Sequence, residues 1–408
     1  MKNFILFFII NLVINCYAIV EIQASHLANP PIGTKVARKK ILVLSTKGGG
    51  GNTCAANAVA SYLEKDYDIT VVNVICDVFG CCNSLKPFSY AEDCYNFLLK
   101  HRCNFLINFY NYCGLFTFKL LKTVLTNVLY TYIKSHKFDM LISMTQYING
   151  VALDAAKKLD IPFLVITTDL NTATFAHDIS DPNYKKFNYL LPFEDELLTD
   201  KIAFAKIPKD KIKFIGYPLR EDFFECKDAN EIKKKWGIPT NKPIAMVLMG
   251  SIGSTATFMY AYRLSKYKKP LHIIICLGKG EWLREKIKRI KFPPHITVSL
   301  VGFTNKISDL MAVSDVLITK TGSHSVCEAM QSKVPLILDS INPSLEWEDL
   351  NPVYIDKHQF GENLTDYQDI YDWLDKVLKD KKYKDNLLSQ RVYNFSHELK
   401  KLISGFFD

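Results

Sequence analysis

Between the apolar runs Val313–Thr319 and Lys333–Leu338 the chain reads Lys320-Thr-Gly-Ser-His-Ser-Val-Cys-Glu-Ala-Met330, a polar turn carrying hydroxyls, an imidazole and a carboxylate. A strand that ends in such a turn and continues as a helix offers backbone N–H groups and the positive helix end at the carboxyl edge of a parallel sheet. That is a cradle for an anion, and a nucleoside diphosphate fits it. Gly322, Ser323, His324 and Ser325 would lie at the phosphates, with His324 either a donor to phosphate or a solvated turn residue. Glu328 shares a helical face with Ser325 and would accept from ribose hydroxyls. A plain βαβ connection would use the same residue types, so this stretch does not decide the matter alone.

The elements around it are those of two α/β halves. Lys40–Ser45 reads as a buried strand, Gly48 to Gly51 as a glycine turn, Thr53–Lys65 as an Ala-rich amphipathic helix and Ile69–Ile75 as the next strand, a complete βαβ unit. Strands at Phe138–Ser143 and Ile161–Thr167 extend a doubly wound parallel sheet, and Ile212–Gly216 leads into a Lys-rich stretch from Arg220 to Lys242. The second half repeats the logic with strands at Pro243–Met249, Leu271–Cys276 and Ile296–Val301, and a helix over Thr257–Tyr267. The expected organisation is a leader or anchor with linker at 1–36, one Rossmann-like domain at 37–218 and a second at 219–380. A C-terminal helix at 381–408 packs back on the first domain.

Composition narrows the function classes. A 408-residue chain that is 48% hydrophobic and 23% charged is globular and large enough for two cores. The net charge of +9 is spread over many Lys-rich stretches, with no nucleic-acid-binding motif, which leaves an anionic membrane surface as the partner of interest. Eleven cysteines with no Cys-x-x-Cys pair indicate neither a disulfide framework nor a zinc site. The apolar run Phe4 to Val20 outlines either a signal peptide, cleaved after Ala18 or Ala24 for secretion, or a short membrane anchor. Lys35, Arg38, Lys39 and Lys40 outweigh Lys2, which favours an anchor with the folded part on the cytoplasmic face.

An ordered set of blocks carries a resemblance. Gly48-Gly-Gly-Gly-Asn-Thr-Cys-Ala-Ala56, Asp77-Val-Phe79, Tyr95-Asn-Phe-Leu-Leu-Lys-His101, Phe138-Asp-Met-Leu-Ile-Ser143, Thr167-Thr-Asp-Leu170, Phe214-Ile-Gly-Tyr-Pro-Leu-Arg220, Met249-Gly-Ser-Ile-Gly253, Val301-Gly-Phe303 and Ile318-Thr-Lys320 recur in family order. Together they resemble the monogalactosyldiacylglycerol synthases and bacterial diacylglycerol glucosyltransferases, over roughly residues 39 to 380. The peptidoglycan lipid-intermediate transferase is a more distant likeness.

The resemblance implies a GT-B fold, a UDP-hexose donor on the C-terminal half and a diacylglycerol-type acceptor approached from the N-terminal half, with no metal or other cofactor. Gly50 and Gly51 would line the cleft, Gly250, Ser251 and Gly253 would lie by the phosphates, and Val301 to Phe303 would meet the uracil. Ser325 would sit near the pyrophosphate and Glu328 on the ribose, while Glu348 and Asn351 would grip the donor sugar or phosphate. Trp347 stands where the family has Gln, and Ser323 and His324 where it has Pro and Gly. The family's glycine turn ends in a His that serves as base, and here that residue is Asn52. A second family His is matched by Thr145. Asn cannot accept a proton at neutral pH, so the base is expected at Asp77, Asp169 or His177, or the protein is an inactive member of the fold. Phe97 to Lys137, aromatic and Leu-rich with interspersed cations, would lie in the bilayer interface.

Overall fold

The computed structural model describes residues 38–48, 50–81, 85, 90–100, 103–203 and 206–407. The expectations for residues 1–36, leader or anchor, lie outside them. In the first half, β1 (Lys40–Ser45), α1 (Gly51–Leu63), β2 (Asp68–Asn73), α2 (Ala91–Lys100), α3 (Asn104–Leu120), α4 (Lys122–His136), β3 (Met140–Ser143), α5 (Asn149–Leu159), β4 (Phe163–Ile166), β5 (Phe187–Leu191), α6 (Glu196–Ala203) and β6 (Ile212–Phe214) follow one another. The second half runs α7 (Ala229–Trp236), β7 (Ile244–Leu248), α8 (Thr255–Leu264), β8 (Leu271–Gly278), α9 (Arg284–Lys288), β9 (Ile296–Gly302), α10 (Ile307–Ala312) and β10 (Val316–Lys320). It closes with α11 (Ser323–Gln331), β11 (Leu336–Asp339), α12 (Leu350–His358), β12 (Gly361–Leu364), α13 (Ile370–Lys379), α14 (Lys382–Ser389) and α15 (Phe395–Phe407).

Each half is a parallel six-stranded sheet, ordered β2-β1-β3-β4-β5-β6 and β12-β11-β10-β7-β8-β9. The inner strands are short, mostly apolar runs buried on both faces, as a sheet covered by helices on both sides requires, while the edge strands β2, β6, β9 and β12 are partly exposed. In each sheet the order reverses once, between β1 and β3 and between β7 and β10, and ligands of open α/β sheets bind outside the carboxyl ends at such a point. The turn after β1 and the loop after β3 flank the first reversal; the turns after β7 and β10 flank the second. The two reversals face each other: a Cβ on Gly50 would come within 2.8 Å of the Ser251 hydroxyl, and one on Gly51 within 3.4 Å of His324 Cβ. Gly50, at φ 89°, is in the left-handed region as well, so both conformation and crowding call for glycine.

β5 and β12 were not anticipated. β12 reads Gly-Glu-Asn-Leu, with polar residues that suit an edge position but hide it from an apolar-run criterion. The C-terminal helix α15 returns to the first half, where Phe395, Leu399 and Ile403 join Val59, Tyr62 and Leu63 in one apolar cluster. Its Lys400 pairs with Asp66 at 2.8 Å.

The stretch from Phe97 to Lys137 divides into two kinds of helix. α4 buries Leu125, Leu129 and Ile133 in the main core, and Lys122 is held by Asp154 and Asp178 at 3.3 and 3.0 Å. That half is core, a correction to the single interfacial stretch expected. α3 differs: Phe105, Tyr112 and Phe116 are 82%, 73% and 56% exposed and recur at helical spacing on one face. Among the described residues no helix is long and apolar enough to cross a membrane.

Candidate active site

A cavity of about 910 Å³ occupies the cleft. Its floor is the polar meeting point of the two sheets: Thr46, Gly50, Gly51, Asn52, Thr168 and Asp169 from one side, and Gly250, Ser251, Lys320, Gly322, Ser323, His324, Ser325, Glu328 and Glu348 from the other. Continuous with it, Leu98 and Leu99 of α2 and Leu106, Phe109 and Phe118 of α3 line an apolar extension. The strand–turn–helix pattern delivers these groups because side chains after a parallel strand's last residue project from the sheet edge.

Asn52 is committed to structure on both ends of its amide. Its Nδ2 donates to Thr46 Oγ1 at 3.2 Å, and its Oδ1 accepts from the Thr168 hydroxyl at 2.8 Å. It braces the glycine turn against the loop after β4. The next residue in that loop, Asp169, is only 8% exposed, and Gln146 Nε2 donates to its Oδ2 at 2.8 Å. Burial pushes its carboxyl up to about 7; a hydrogen bond from Ser323 opposes this, the charge of Glu348 adds to it, and Lys320 and Gln146 oppose it. A carboxylate tuned to that range, in a cleft and hydrogen-bonded from both domains, has the character of a general base.

Tyr147, two residues past Thr145, lines the same space with φ 67°, a conformation bulky residues rarely adopt. Its ring stacks on His177 at 5.7 Å and its hydroxyl is buried without a hydrogen-bond partner. α2 is clamped onto the glycine turn: the Lys47 N–H donates to Glu92 Oε1 at 2.7 Å, and Asn73 Nδ2 donates to Glu92 Oε2. A Cβ on Gly48 would lie 3.1 Å from the Tyr95 ring.

On the opposite side, Glu348 is held by Lys320 at 3.2 Å and accepts from the Thr321 hydroxyl at 3.1 Å. Lys320 is the cation of the turn. Asn351 is fully buried; its Nδ2 donates to the Thr321 carbonyl and, at 2.9 Å, to Ser323 Oγ. Asn351 therefore shapes the turn from behind, without lining the cavity, where direct grip on the donor was expected. Asn351→Ala should cost about 2–3 kcal/mol of stability, because it orphans buried polar groups and leaves a void. Chemical denaturation measures this, and a loss under 0.5 kcal/mol, a value within surface-substitution scatter of about that size, would show that the turn holds itself.

Glu328 is buried, and His324 Nε2 lies 3.4 Å from its Oε1. The imidazole is enclosed rather than solvated: its ring lies 5.7 Å from that of Tyr217, and its Nδ1 is buried without a partner. Gly253, at φ 89°, brings its backbone against Gly280 and lines a smaller neighbouring cavity with Gly250 and Ser251. At the uracil position expected for Val301 to Phe303, Gly302 and Phe303 line the main cavity, while Val301 is buried in β9.

Asp77 is a correction. β2 ends at Asn73 and the chain winds into a π-helical turn, Val74–Phe79, which turns Asp77 to solvent with its Oδ2 accepting from the Asn73 N–H at 3.0 Å. It does not line the cavity, nor does His177, whose pKa burial lowers. Sequence reading also missed Gln146, Tyr147, Glu92 and Tyr95. The signal for the first two was the polar run Thr145-Gln-Tyr147 directly after a buried strand; nothing local marks Glu92, which acts across the fold.

A family model described as lipid-A-disaccharide synthetase matches residues 183–341. Over 322 residues the chain is 24% identical to monogalactosyldiacylglycerol synthase 1, chloroplastic, of Arabidopsis thaliana, covering 74% of this chain and 58% of that protein, so it spans little more than half that relative's length. It is 25% identical over 336 residues to a processive diacylglycerol beta-glucosyltransferase of Staphylococcus epidermidis, covering 79% of this chain and 80% of that protein. The crystal structure of Acinetobacter baumannii MurG superimposes with a TM-score of 0.59 at 13% identity, covering 90% of this chain and 99% of that one. That likeness shows two facing Rossmann-like domains of the GT-B type.

Proposed function

We propose that this chain, which belongs with the monogalactosyldiacylglycerol synthases and processive diacylglycerol glucosyltransferases, moves a hexose from a UDP-hexose to a diacylglycerol-type lipid at a membrane surface. One observation carries the reading: a single cavity joins a polar floor at two helix and turn termini to an apolar extension under α2 and α3, whose outer face exposes aromatic rings. A water-soluble acceptor needs no such extension, whereas a lipid presents a hydroxyl at the floor with its chains along the apolar wall. Aromatic rings half out of the protein sit favourably at headgroup level, which supports membrane association through α3.

The diphosphate binds at the turns after β7 and β10, where backbone N–H groups, the α11 dipole and Lys320 favour negative charge. The acceptor hydroxyl is deprotonated by Asp169 as its oxygen attacks the anomeric carbon, and the bond to the β-phosphate oxygen breaks with its electron pair leaving on UDP. Asn52 keeps the family His position as a brace, not a base.

The test is transfer of label from UDP-galactose and UDP-glucose to diacylglycerol in anionic vesicles by the full chain. Transfer supports the reading. Absence of transfer from either donor, with UDP still bound, would favour the second reading, a nucleotide- and lipid-binding member of the fold that has lost its activity, a reading Asn52 favours.

A further inference from the structure

The loop after β3 is wound more tightly than a plain connection needs. The Ile148 N–H donates to the Gln146 carbonyl at 2.8 Å, two residues back, and Tyr147 between them has φ 67°. A three-residue turn closed in this way, with its central residue in the left-handed region, is the rare and strained form of the γ-turn, and such strain persists only where the surroundings over-determine it. Here they do. The Thr145 hydroxyl donates to the same carbonyl at 3.3 Å, Asn149 Nδ2 donates to the carbonyls of Thr145 and Phe175 at 3.0 and 2.7 Å, and the Tyr147 ring is stacked on His177. What the turn delivers is the buried side chain of Gln146, whose Nε2 donates to Asp169 Oδ2 at 2.8 Å. Resting on the assignment of Asp169 as the base, we propose that Gln146 is the positioning residue for that base: it pins one carboxylate oxygen, presents the other to the acceptor hydroxyl and favours the ionised form that takes the proton.

A primary amide suits the task. A Lys or Arg in its place would neutralise the carboxylate and weaken it as a base, whereas an amide N–H supports the anion without a full opposing charge. The groups that face Asp169 come from both domains. From the first, Gln146 donates, and Tyr95, Tyr147 and Tyr217 have phenols that burial raises, so they stay neutral. From the second, Ser323 donates, Glu348 adds to the upward shift, Lys320 opposes it, and burial keeps the Cys327 thiol neutral. Asn351 Nδ2 donates to Ser323 Oγ, which leaves that hydroxyl's own proton for Asp169. Gln146 and Asp169 belong to the same domain, so their bond does not depend on how the cleft closes, while the support from Ser323 does.

Gln146→Met, which keeps the length of the side chain and removes the donor, tests this in the full chain, with Gln146→Leu as a second variant. Two measurements are made: the pH profile of transfer to diacylglycerol, and thermal melts at pH 5 and pH 8.5, each repeated in the Asp169→Asn background. Without one hydrogen bond to its charged form the carboxyl should titrate about one pH unit higher. The midpoint of the turnover profile should move up by that amount, so that turnover near pH 7 falls about fivefold or more. A higher folded-state value also makes the buried charge costlier as pH rises, so either variant should lose more melting temperature at pH 8.5 than at pH 5, and that excess should vanish beside Asp169→Asn. A merely structural side chain would lower melting equally at both pH values. Equal losses, or a turnover midpoint that stays in place, overturn the role of Gln146 and leave Asp169 as the base. Turnover that survives Asp169→Asn, or no transfer by the unmodified protein, overturns the assignment of the base and this role with it.

Discussion

Replacing Asp169 by Asn should lower turnover about 10²–10⁴-fold, the span of general base catalysis, while leaving UDP affinity nearly unchanged and making the protein more stable above pH 7. The three effects share one cause. Burial holds the carboxyl up at about 7 against an ordinary value of 3.8, so the folded state binds the proton more tightly than the unfolded chain does. Stability is therefore highest while the carboxyl is protonated in both states, and it falls as pH rises from about 4 towards 7, where the folded protein must carry a buried charge. At about 1.4 kcal/mol per pH unit, the cost above pH 7 is on the order of 4 kcal/mol as an upper bound. Asn fills nearly the same volume without a charge and removes it. In the unmodified protein turnover should rise with pH through about 7 as the base becomes free. Melting temperature at pH 8 and the pH profile of turnover check both halves; unchanged turnover in a variant that melts higher would remove Asp169 from the chemistry while confirming its burial.

The second large effect concerns the membrane. Phe105, Tyr112 and Phe116 on the exposed face of α3 belong to neither the core nor the cavity wall, so changing all three to Ser should leave folding and UDP binding intact. A fully buried aromatic side chain contributes about 1.5–3 kcal/mol. Three rings inserted to about half that depth amount to roughly 3 kcal/mol, or about two orders of magnitude in vesicle partitioning. Flotation with vesicles containing anionic lipid reads this directly, and transfer to lipid acceptor should fall in parallel. Retained flotation would move the contact to another surface. Changing Lys122, whose charge is satisfied by Asp154 and Asp178, should not affect partitioning, because α4 faces the core.

Much of the site was legible because its chemistry sits at strand ends. An apolar run broken by Gly, Ser and Thr and resumed as a helix can be read from a few residues, as at Ser325 and Glu328, which line the cleft; Gly50, Gly51, Gly250, Ser251 and Glu348, expected from the resemblance, line it too. Asp77 was misread because the strand was taken two residues too long: β2 ends at Asn73, and the π-helical turn after it rotates Asp77 outward. Asn351 was expected as a ligand group from the resemblance, which matches residues to an element but not to the side of a turn that they approach. The stretch after Phe97 was read as one unit because α3 and α4 have similar composition; only packing against α5 distinguishes them.

By itself the sequence determined two parallel α/β halves and the position of a glycine or hydroxyl turn at each cleft edge. These follow from local rules, the periodicity of buried strands and the conformational needs of turns. Only the tertiary structure decided which polar groups act together. Asp169 acquires its raised pKa from burial, with Glu348 adding to it and Ser323, Lys320 and Gln146 opposing it, and these groups come from three separate stretches of chain and both domains. His324 meets Gly51 only because the two reversals of strand order face each other. Burial and charge proximity are properties of the assembled cleft, and no residue carries them alone.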